Sequence, residues 1–369
     1  MKFEIDRSEL ISAVAATSKA TAQRGTKPIL ANILIEAKND KIKFVGTDTE
    51  SMIMIEVSAD VQIEGTATAP AKLFSELISG LPSDSLFPVE VALVNDALVI
   101  SAGKNSFKIL TMSADDFPPV PVIDDNFTEI NGKELASLLR MGVIAIGGDN
   151  DNPVQRALCL ASETGGLSAI TTDSKRLALC RSNIASPEFL SENSALIPHK
   201  AAIEIISLIE TDEHAEIGFF KQQLVVKSDN VTLVTRLVNG KFPDYNRVLP
   251  KESNQSTTIY RKEFNQALKS VALIARAQDN YTLLSIRAND MTISSQSKEK
   301  GSAEIVIDCK HSGEPINIAL NLKYMQDFLS AVSIEEFELK TTTNSYPALF
   351  VADELKYICM PMSIIDKGA

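Results

Sequence analysis

Short stretches with a strand-like period of two run through this chain, and one of them leads into an unusual aromatic segment. Residues 231–236 follow the period of a strand with two distinct faces. Asn239-Gly240 then predicts a turn with positive φ that ends the strand. In Phe242-Pro243, the proline fixes its own φ and pushes the phenylalanine toward extended geometry. The segment is therefore predicted to hold one shape at a surface suited to partners.

The order of elements recurs three times along the chain, at a spacing of roughly one third of its length. Each copy opens with a short strand that leads into an amphipathic helix, and it closes with a hairpin of alternating strands. A turn with the sequence Thr-Asp occurs at Thr47-Asp48 and again at Thr172-Asp173, 125 positions later. The copies open at Phe3, Phe127 and Ser256.

A second helix is predicted within each copy, and its start has a common sequence feature. Pro70 and Pro198 mark two of these starts, where the missing N–H of proline does no harm. A lysine follows two residues after each start, at Lys72, Lys200 and Lys323.

The repeats predict an α+β fold of three domains, each with two helices and antiparallel sheets. The linkers at 118–126 and 250–256 are Pro-rich or polar and lack apolar periodicity. We therefore expect domains at 1–125, 126–252 and 253–369.

Composition places the chain among water-soluble proteins, and we expect it in the cytoplasm. No run approaches the roughly 20 apolar residues of a membrane span. Glu4 and Asp6 stand where a secretory signal needs an apolar core. The cysteines lack CxxC spacing, so we expect reduced, buried thiols and neither disulfides nor a metal site. They are Cys159, Cys180, Cys309 and Cys359.

The sequence carries no pattern typical of an enzyme. None of the three histidines neighbours a Ser or Cys in a nucleophile motif such as GxSxG. Residues 102–106 lack the spacing of a phosphate-binding loop, and residues 147–152 lack the Gly and Glu that complete a calcium loop. We predict a non-catalytic protein with no cofactor and no metal.

Five stretches carry recognisable motifs: 27–36, 171–180, 236–250, 321–324 and 357–362, of which FPDYxRVLP and a terminal MPM are highly specific. With the triplication, they make essentially the whole chain resemble the bacterial DNA sliding clamps, the β subunits of the replicative polymerase holoenzyme. The resemblance implies a head-to-tail homodimeric ring of six similar domains around duplex DNA, with helices inside and sheets outside. It also implies that the ring tethers the replicative polymerase, the clamp loader and repair polymerases through short linear motifs.

Helix dimensions allow a check on the size of such a ring. Twelve helices packed about 10 Å apart give a perimeter of about 120 Å and a diameter of about 38 Å. Subtracting about 10 Å of helix thickness leaves an opening of about 28 Å, which admits a B-form duplex with water. The net charge of -12 argues against a basic gripping surface. A ring that holds DNA by topology needs few phosphate contacts, so this objection weakens.

Basic residues on the predicted inner helices are expected to contact phosphates without reading bases. Arg24 matches a DNA-contacting position of the family. For each residue the alternative is an ordinary surface charge, and the shared register of the three lysines favours function. The predicted DNA-contacting residues are Arg24, Lys72, Arg140, Lys200 and Lys323.

The resemblance also implies a hydrophobic pocket between the second and third domains for partner peptides. Its apolar and methionine side chains suit several partners, and its arginines and asparagine suit the polar groups of a peptide. The alternative is that its apolar members are ordinary core residues. The predicted pocket comprises Thr172, Arg176, Leu177, Pro243, Arg247, Val248, Asn321, Tyr324, Ile358, Met360, Pro361 and Met362.

The pocket departs from the family pattern at two places, and the chain extends further at its end. Gln155 stands where Leu is more common, and Ser174-Lys175 replaces a commoner Gly-His or Gly-Tyr pair. Residues 363–369 extend past the usual end of the family. These departures leave the affinity for partner motifs open.

The resemblance places ring closure at a first-domain edge strand and a third-domain helix, where an edge strand that meets its counterpart across a two-fold axis completes a continuous sheet and removes the exposed edge. The matching positions are Phe107, Ile109, Leu273 and Ile274. The alternative is that they are core residues. A three-repeat protein-binding scaffold unrelated to DNA is the competing function, and only the FPDY and MPM signatures separate it from a clamp.

Overall fold

The computed structural model describes residues 1–22, 27–81, 88–123, 126–163, 165–190, 194–220, 222–250 and 253–364. Two compact units make up the fold. The first consists of Met1–Lys133 with Ser207–Leu237, and the second of Glu134–Ile206 with Val238–Ala369.

The helices of the described residues are α1 (Arg7–Lys19), α2 (Ala71–Ser79), α3 (Gly132–Gly142), α4 (His199–Ile209), α5 (Arg261–Ala275) and α6 (Leu322–Ala331). The strands before residue 121 are β1 (Lys2–Ile5), β2 (Asn32–Lys38), β3 (Lys41–Thr47), β4 (Ser51–Ser58), β5 (Asp60–Ile63), β6 (Gly65–Pro70), β7 (Val89–Val94), β8 (Ala97–Ala102) and β9 (Asn105–Leu110). The next are β10 (Thr128–Ile130), β11 (Ala157–Glu163), β12 (Gly166–Thr172), β13 (Arg176–Arg181), β14 (Ser194–Pro198), β15 (Ala215–Phe220), β16 (Gln223–Ser228) and β17 (Val231–Arg236). The last are β18 (Gln255–Tyr260), β19 (Tyr281–Ile286), β20 (Asp290–Ser297), β21 (Gly301–Ser312), β22 (Ile316–Asn321), β23 (Glu336–Thr341), β24 (Ala348–Ala352) and β25 (Leu355–Cys359).

The first unit contains a five-stranded sheet in the order β5-β1-β7-β8-β9 and an eight-stranded sheet in the order β10-β15-β16-β17-β4-β3-β2-β6. Helix α1 begins at the cap Asp6, whose carboxylate accepts the backbone N–H of Ser8 at 2.7 Å. The helix buries Leu10 and Val14, and α2 buries Phe74 and Ile78. These apolar faces give the unit its core.

The second unit contains a twelve-stranded sheet in the order β14-β11-β12-β13-β25-β24-β23-β18-β21-β20-β19-β22. Aromatic rings from α5, α6 and the sheet form part of its core. Phe328 lies 5.1 Å from both Phe337 and Phe350 between ring centroids, and 5.7 Å from Tyr357. Such offset and edge contacts stabilise a core beyond the burial of area alone.

The predicted fold is confirmed in its elements. The strand at 231–236 is β17, and the closing hairpins are β8-β9, β16-β17 and β24-β25. Each predicted lysine is the second residue of its helix, in α2, α4 and α6. The ladders β4-β17 and β13-β25 continue the sheets from one repeat into the next, so the compact units do not coincide with the repeats. The boundaries 1–125, 126–252 and 253–369 stay predictions.

Candidate functional site

A cavity of about 280 Å³ lies within the second unit, and most of the predicted pocket residues line it. The predicted residues in its lining are Thr172, Arg176, Leu177, Pro243, Arg247, Val248, Ile358 and Met360. The further lining residues are Gln155, Ser174, Lys175, Asp244 and Tyr245.

Two neighbouring strands of the sheet provide the apolar floor of the cavity. β13 and β25 run antiparallel, and Leu177 lies opposite Ile358 in their register. Leu177 is 4% exposed and Ile358 is 2% exposed, because both also belong to the core beneath the cavity. The two readings of these residues, pocket and core, are therefore compatible. Beside the floor, the backbone N–H of Met360 donates to the carbonyl oxygen of Lys175 at 2.8 Å.

The Phe-Pro-Asp-Tyr segment forms another wall, and two anchors fix its position. Phe242 is buried in the core, and its ring meets the ring of Tyr245 edge-on at 6.4 Å between centroids. The Tyr245 hydroxyl donates to Glu163, which also accepts from Arg181 Nε at 2.6 Å. Burial alone would raise the pKa of Glu163, but the hydrogen bonds from Arg181 and Tyr245 outweigh it and lower the pKa. The carboxylate is thus held charged, and it fixes the tyrosine.

Arg176 lies at the centre of a network of partly buried charges. Its Nε donates to Asp173 at 2.9 Å, and its Nη1 donates to Asp327 and, at 3.3 Å, to the Tyr357 hydroxyl. The guanidinium carbon lies 4.3 Å from the ring centroid of Tyr324. Burial alone would lower the pKa of Arg176, but these partners raise it, so the guanidinium stays charged. The network explains why a large cation is tolerated beside an apolar floor.

The turn before Arg176 brings a non-glycine residue into the left-handed region. Ser174 has a φ of 71°, which is uncommon for a residue with a Cβ. The Asp173 carboxylate stabilises the turn because its Oδ1 accepts the N–H groups of Lys175 and Arg176, both at 2.9 Å. The Ser174 hydroxyl accepts a hydrogen bond from Gln155 Nε2. The two departures noted in the sequence therefore meet at the cavity wall.

Four predicted pocket residues lie outside the lining of the cavity. Asn321 caps α6, where its side chain accepts the N–H of Lys323 at 2.9 Å. Tyr324 stacks under Arg176, and the N–H of Met362 donates to the carbonyl oxygen of Ala319 at 2.8 Å. Pro361 is partly exposed next to it.

Sequence reasoning did not assign two lining residues, Asp244 and Tyr245, to the cavity, although both belong to the quoted FPDY motif. Their position in the sequence, between the predicted pocket residues Pro243 and Arg247, could have assigned them to the cavity.

The predicted DNA-contacting lysines share one local arrangement. Each is paired with a carboxylate one turn later in its own helix: Lys72 with Glu76 at 4.0 Å, Lys200 with Glu204 at 3.7 Å, and Lys323 with Asp327. Arg140 is exposed in the last turn of α3. Arg24 lies outside the described residues.

A second cavity of about 300 Å³ lies next to Lys323 in the same unit. Arg176 and Asp327 line it together with His199, the first residue of α4. One carboxylate oxygen of Asp327 accepts a hydrogen bond from Lys323, and the other accepts one from Arg176. Burial lowers the pKa of His199, which favours the neutral ring.

The predicted interface residues lie on one strand and one helix. Phe107 and Ile109 belong to β9, the last strand of the five-stranded sheet, where Ile109 is buried and the neighbouring Leu110 is 77% exposed. Leu273 and Ile274 lie on α5, and Leu273 is 70% exposed.

A second free edge occurs in β21, which sequence reasoning did not single out. Residues 301–308 pair with β20, whereas β18 pairs only with residues 309–312. Within the described part of the chain, one edge of 301–308 therefore has no ladder partner.

The described residues contain no cluster of His, Cys, Asp and Glu that could hold a metal ion. Over the same ranges, no helix is both long and apolar enough to cross a bilayer. All four cysteines are free and buried, as predicted. Burial raises the pKa of Cys159 to about 11 and that of Cys180 to about 12, which makes these thiols unreactive.

Comparison with known proteins assigns a class to each third of the chain. Residues 1–121 match the N-terminal domain of the DNA polymerase III beta subunit, residues 129–244 match its central domain, and residues 246–363 match its C-terminal domain. The beta sliding clamp of Bacillus subtilis is 31% identical over 363 residues, which cover 95% of each chain.

Solved structures agree over nearly the whole chain. The DNA polymerase III beta subunit of Thermotoga maritima has a TM-score of 0.91 at 27% identity, covering 99% of this chain and 100% of that one. The beta sliding clamp of Caulobacter crescentus, with polyethylene glycol bound to a candidate beta-motif tethering region, has a TM-score of 0.90 at 27% identity with the same coverage. The chain therefore belongs to the DNA polymerase III beta subunit family, the family of the beta sliding clamps.

Proposed function

We propose that this chain is a DNA sliding clamp, a ring of two copies that encircles duplex DNA and tethers the replicative polymerase for processive synthesis. The observation that carries the proposal is the match of all three repeats, over 99% of the chain, to a structure of this family at a TM-score of 0.91. The triple lysine register and the cavity in the second unit support it from the chain's own chemistry.

The placement of the three lysines favours an anion as their partner. A cation in the first turn of a helix lies at the positive end of the helix dipole, which lowers helix stability. Lys72, Lys200 and Lys323 nonetheless occupy this place in three helices. We assign them to DNA phosphates, with Arg140 and Arg24 as further contacts.

The carboxylate one turn after each lysine keeps these contacts weak. A phosphate must compete with Glu76, Glu204 or Asp327 for its lysine. Weak, exchangeable phosphate contacts suit a ring that slides, because strong ones hold DNA in place. The net charge of -12 is compatible with this mode of holding DNA.

Two free sheet edges support ring closure by a second copy. β9 ends its sheet, and residues 301–308 of β21 lack a partner on one side within the described residues. If β9 of one copy pairs with β21 of the other, both edges are covered and the exposed Leu110 and Leu273 lose contact with water. Phe107, Ile109 and Ile274 are assigned to the same interface.

The cavity in the second unit is assigned to short linear motifs of partner proteins. Its volume of about 280 Å³ suits a few side chains of an extended peptide, and its floor of Leu177 and Ile358 suits apolar anchors. The polymerase, the clamp loader and repair polymerases are the partners proposed for it. The predicted Asn321, Tyr324, Pro361 and Met362 complete the proposed site around the cavity.

We further propose that the chain has no catalytic activity and works in the cytoplasm with the replication machinery. A three-repeat scaffold unrelated to DNA is not favoured, because the chain matches a beta sliding clamp over 95% of its length and a DNA polymerase III beta subunit over 99%.

Native mass in solution over a dilution series tests the proposed ring. We expect the mass of two chains. Leu273→Asp should raise the dissociation constant of the dimer by more than about tenfold, since it buries a charge at the interface. Tyr346→Asp is the matched control, because Tyr346 is also highly exposed but lies in a turn. A single chain at every concentration would contradict the proposed ring.

A further inference from the structure

A hydrogen-bonded polar pair lies in the wall of the cavity in the second unit, whose lining combines charged, polar and apolar side chains. The Gln155 carboxamide donates through Nε2 to the hydroxyl oxygen of Ser174, and both residues line the cavity. Around them the lining includes the apolar side chains of Leu177, Val248 and Ile358.

Backbone hydrogen bonds fix both members of this pair. The N–H of Gln155 donates to the carbonyl oxygen of Asn152 at 2.8 Å, and its own carbonyl oxygen accepts from Gly147 at 2.8 Å. Ser174 is held by its turn, where its N–H donates to the Thr172 hydroxyl at 3.2 Å. The backbone that carries the pair is therefore held in place, and the bond between the two side chains orients them toward each other.

The hydrogen bond between the two side chains leaves capacity for a ligand. Gln155 keeps an acceptor in its Oε1 oxygen, and the Ser174 hydroxyl, which accepts from Gln155, keeps its own hydrogen to donate. An apolar group placed against these atoms removes their water without replacing its hydrogen bonds, which is costly. A ligand hydroxyl replaces them, since it both donates and accepts.

We infer that the Gln155–Ser174 pair makes this cavity select peptides whose aromatic anchor carries a hydroxyl, that is, tyrosine over phenylalanine. The ring fits the apolar floor, and its hydroxyl meets the polar pair. The inference rests on the proposed role of the cavity as a peptide site. Sites built to hydrogen-bond a hydroxyl discriminate strongly against ligands that lack it.

Selection from a library of random twelve-residue peptides tests the preference without assuming a motif. The full-length protein and its Gln155→Leu variant serve as targets, and recovered peptides are kept if Val248→Asp, a change at an exposed lining residue, abolishes their binding. We expect tyrosine at the anchor position for the protein and phenylalanine or leucine for Gln155→Leu.

Twin peptides then measure the effect on the selected sequence. The tyrosine peptide should bind about 3- to 10-fold more tightly than its phenylalanine twin, the value of one neutral hydrogen bond. The ratio should fall to about one or below in Gln155→Leu and decrease in Ser174→Gly. Thr49→Gly, in the equivalent turn of the first repeat, is the matched control and should leave the ratio unchanged.

The possible failures are distinguishable. Two outcomes overturn the inference and leave the peptide site standing. In one, peptides that bind in the cavity prefer phenylalanine in the unaltered protein; in the other, they keep their tyrosine preference in Gln155→Leu. A library that yields no peptide sensitive to Val248→Asp overturns the peptide site and the inference with it.

Discussion

The same five-residue turn occurs in both compact units, at Thr47–Ser51 and at Thr172–Arg176. In both copies the threonine hydroxyl donates to the carbonyl oxygen four residues later, at 2.8 and 2.7 Å. In both, the aspartate Oδ1 accepts two backbone N–H groups. The third residue has a φ of 78° in one copy and 71° in the other. The unusual backbone therefore belongs to the repeat and is not itself a mark of function.

The two turns differ in the side chains that they present. The first ends in Ser51, whose hydroxyl lies 3.5 Å from Asp48, whereas the second ends in Arg176 with its network of acidic and aromatic partners. The second turn lines the cavity of its unit. The comparison teaches that a shared framework supplies the geometry, and substitutions on it supply the proposed site.

Replacing Arg176 by alanine should have the largest effect. The change leaves the partly buried Asp327 and Asp173 carboxylates without their cation, so the free energy of unfolding should fall by about 2–3 kcal/mol. Peptide binding in the cavity should be lost. Chemical denaturation and fluorescence anisotropy with a selected peptide measure the two effects.

Ser51→Ala provides the matched control in the first turn. It should change the free energy of unfolding by about 1 kcal/mol or less and leave peptide binding intact. If Ser51→Ala and Arg176→Ala weaken peptide binding equally, Arg176 has only a structural role.

Removing the turn carboxylate should have a smaller effect, and the loss of stability should be larger in the second turn, because Asp173 also pairs with Arg176 Nε. Asp48→Ala and Asp173→Ala each remove an acceptor for two backbone N–H groups, which should cost about 1–2 kcal/mol. Only Asp173→Ala should weaken peptide binding, because Asp173 also holds Arg176 Nε. If Asp173→Ala binds the peptide as tightly as the unaltered protein, the turn does not contribute to the peptide site.

Tyr245→Phe should lower stability by about 1 kcal/mol at neutral pH, because it removes the hydrogen bond to Glu163 and keeps the ring. The pKa of Glu163 is lowered in the folded protein. Its contribution is therefore complete above the ordinary value of 4.5 and is lost as the pH falls through the lowered pKa. The stability difference between the variant and the unaltered protein should narrow below pH 4.5 in denaturation series, and a constant difference would contradict the assignment.

Placing glycine at the positive-φ position of each turn, which relieves the backbone strain there, should produce the smallest effect. Thr49→Gly and Ser174→Gly place glycine where φ is positive, and each should change the free energy of unfolding by about 1 kcal/mol or less. Similar values, from thermal or chemical denaturation, would confirm that the strain is common to both repeats. A clearly larger effect at Ser174 would mean that its bond to Gln155 stabilises the fold as well.

Much of this comparison was predictable from sequence because it is local. The recurring Thr-Asp pair, the helix starts and the closing hairpins all follow from short patterns, and the structure confirms those elements. The motif resemblance placed Leu177 and Ile358 in one pocket, and they lie opposite each other on neighbouring strands.

Contacts between distant residues were beyond such reasoning. Arg176 meets Asp327 and Tyr357, more than a hundred residues later, and no short pattern in the sequence indicates which acid it pairs with. The bond from Gln155 to Ser174 depends on two side-chain rotamers, so the sequence showed two separate departures where the structure shows one pair. Asn321 was assigned to the pocket, although its side chain caps α6.

Retention on circular DNA in high salt tests the central claim most directly. The protein is loaded onto a nicked circular plasmid by its clamp loader and then moved to about 1 M salt, where contacts between charges are screened within about 3 Å. A closed ring should stay on the circle and leave when a restriction enzyme linearises the plasmid. Release from the intact circle in high salt, or equal retention on linear DNA, would contradict the proposal that this chain holds DNA by encircling it.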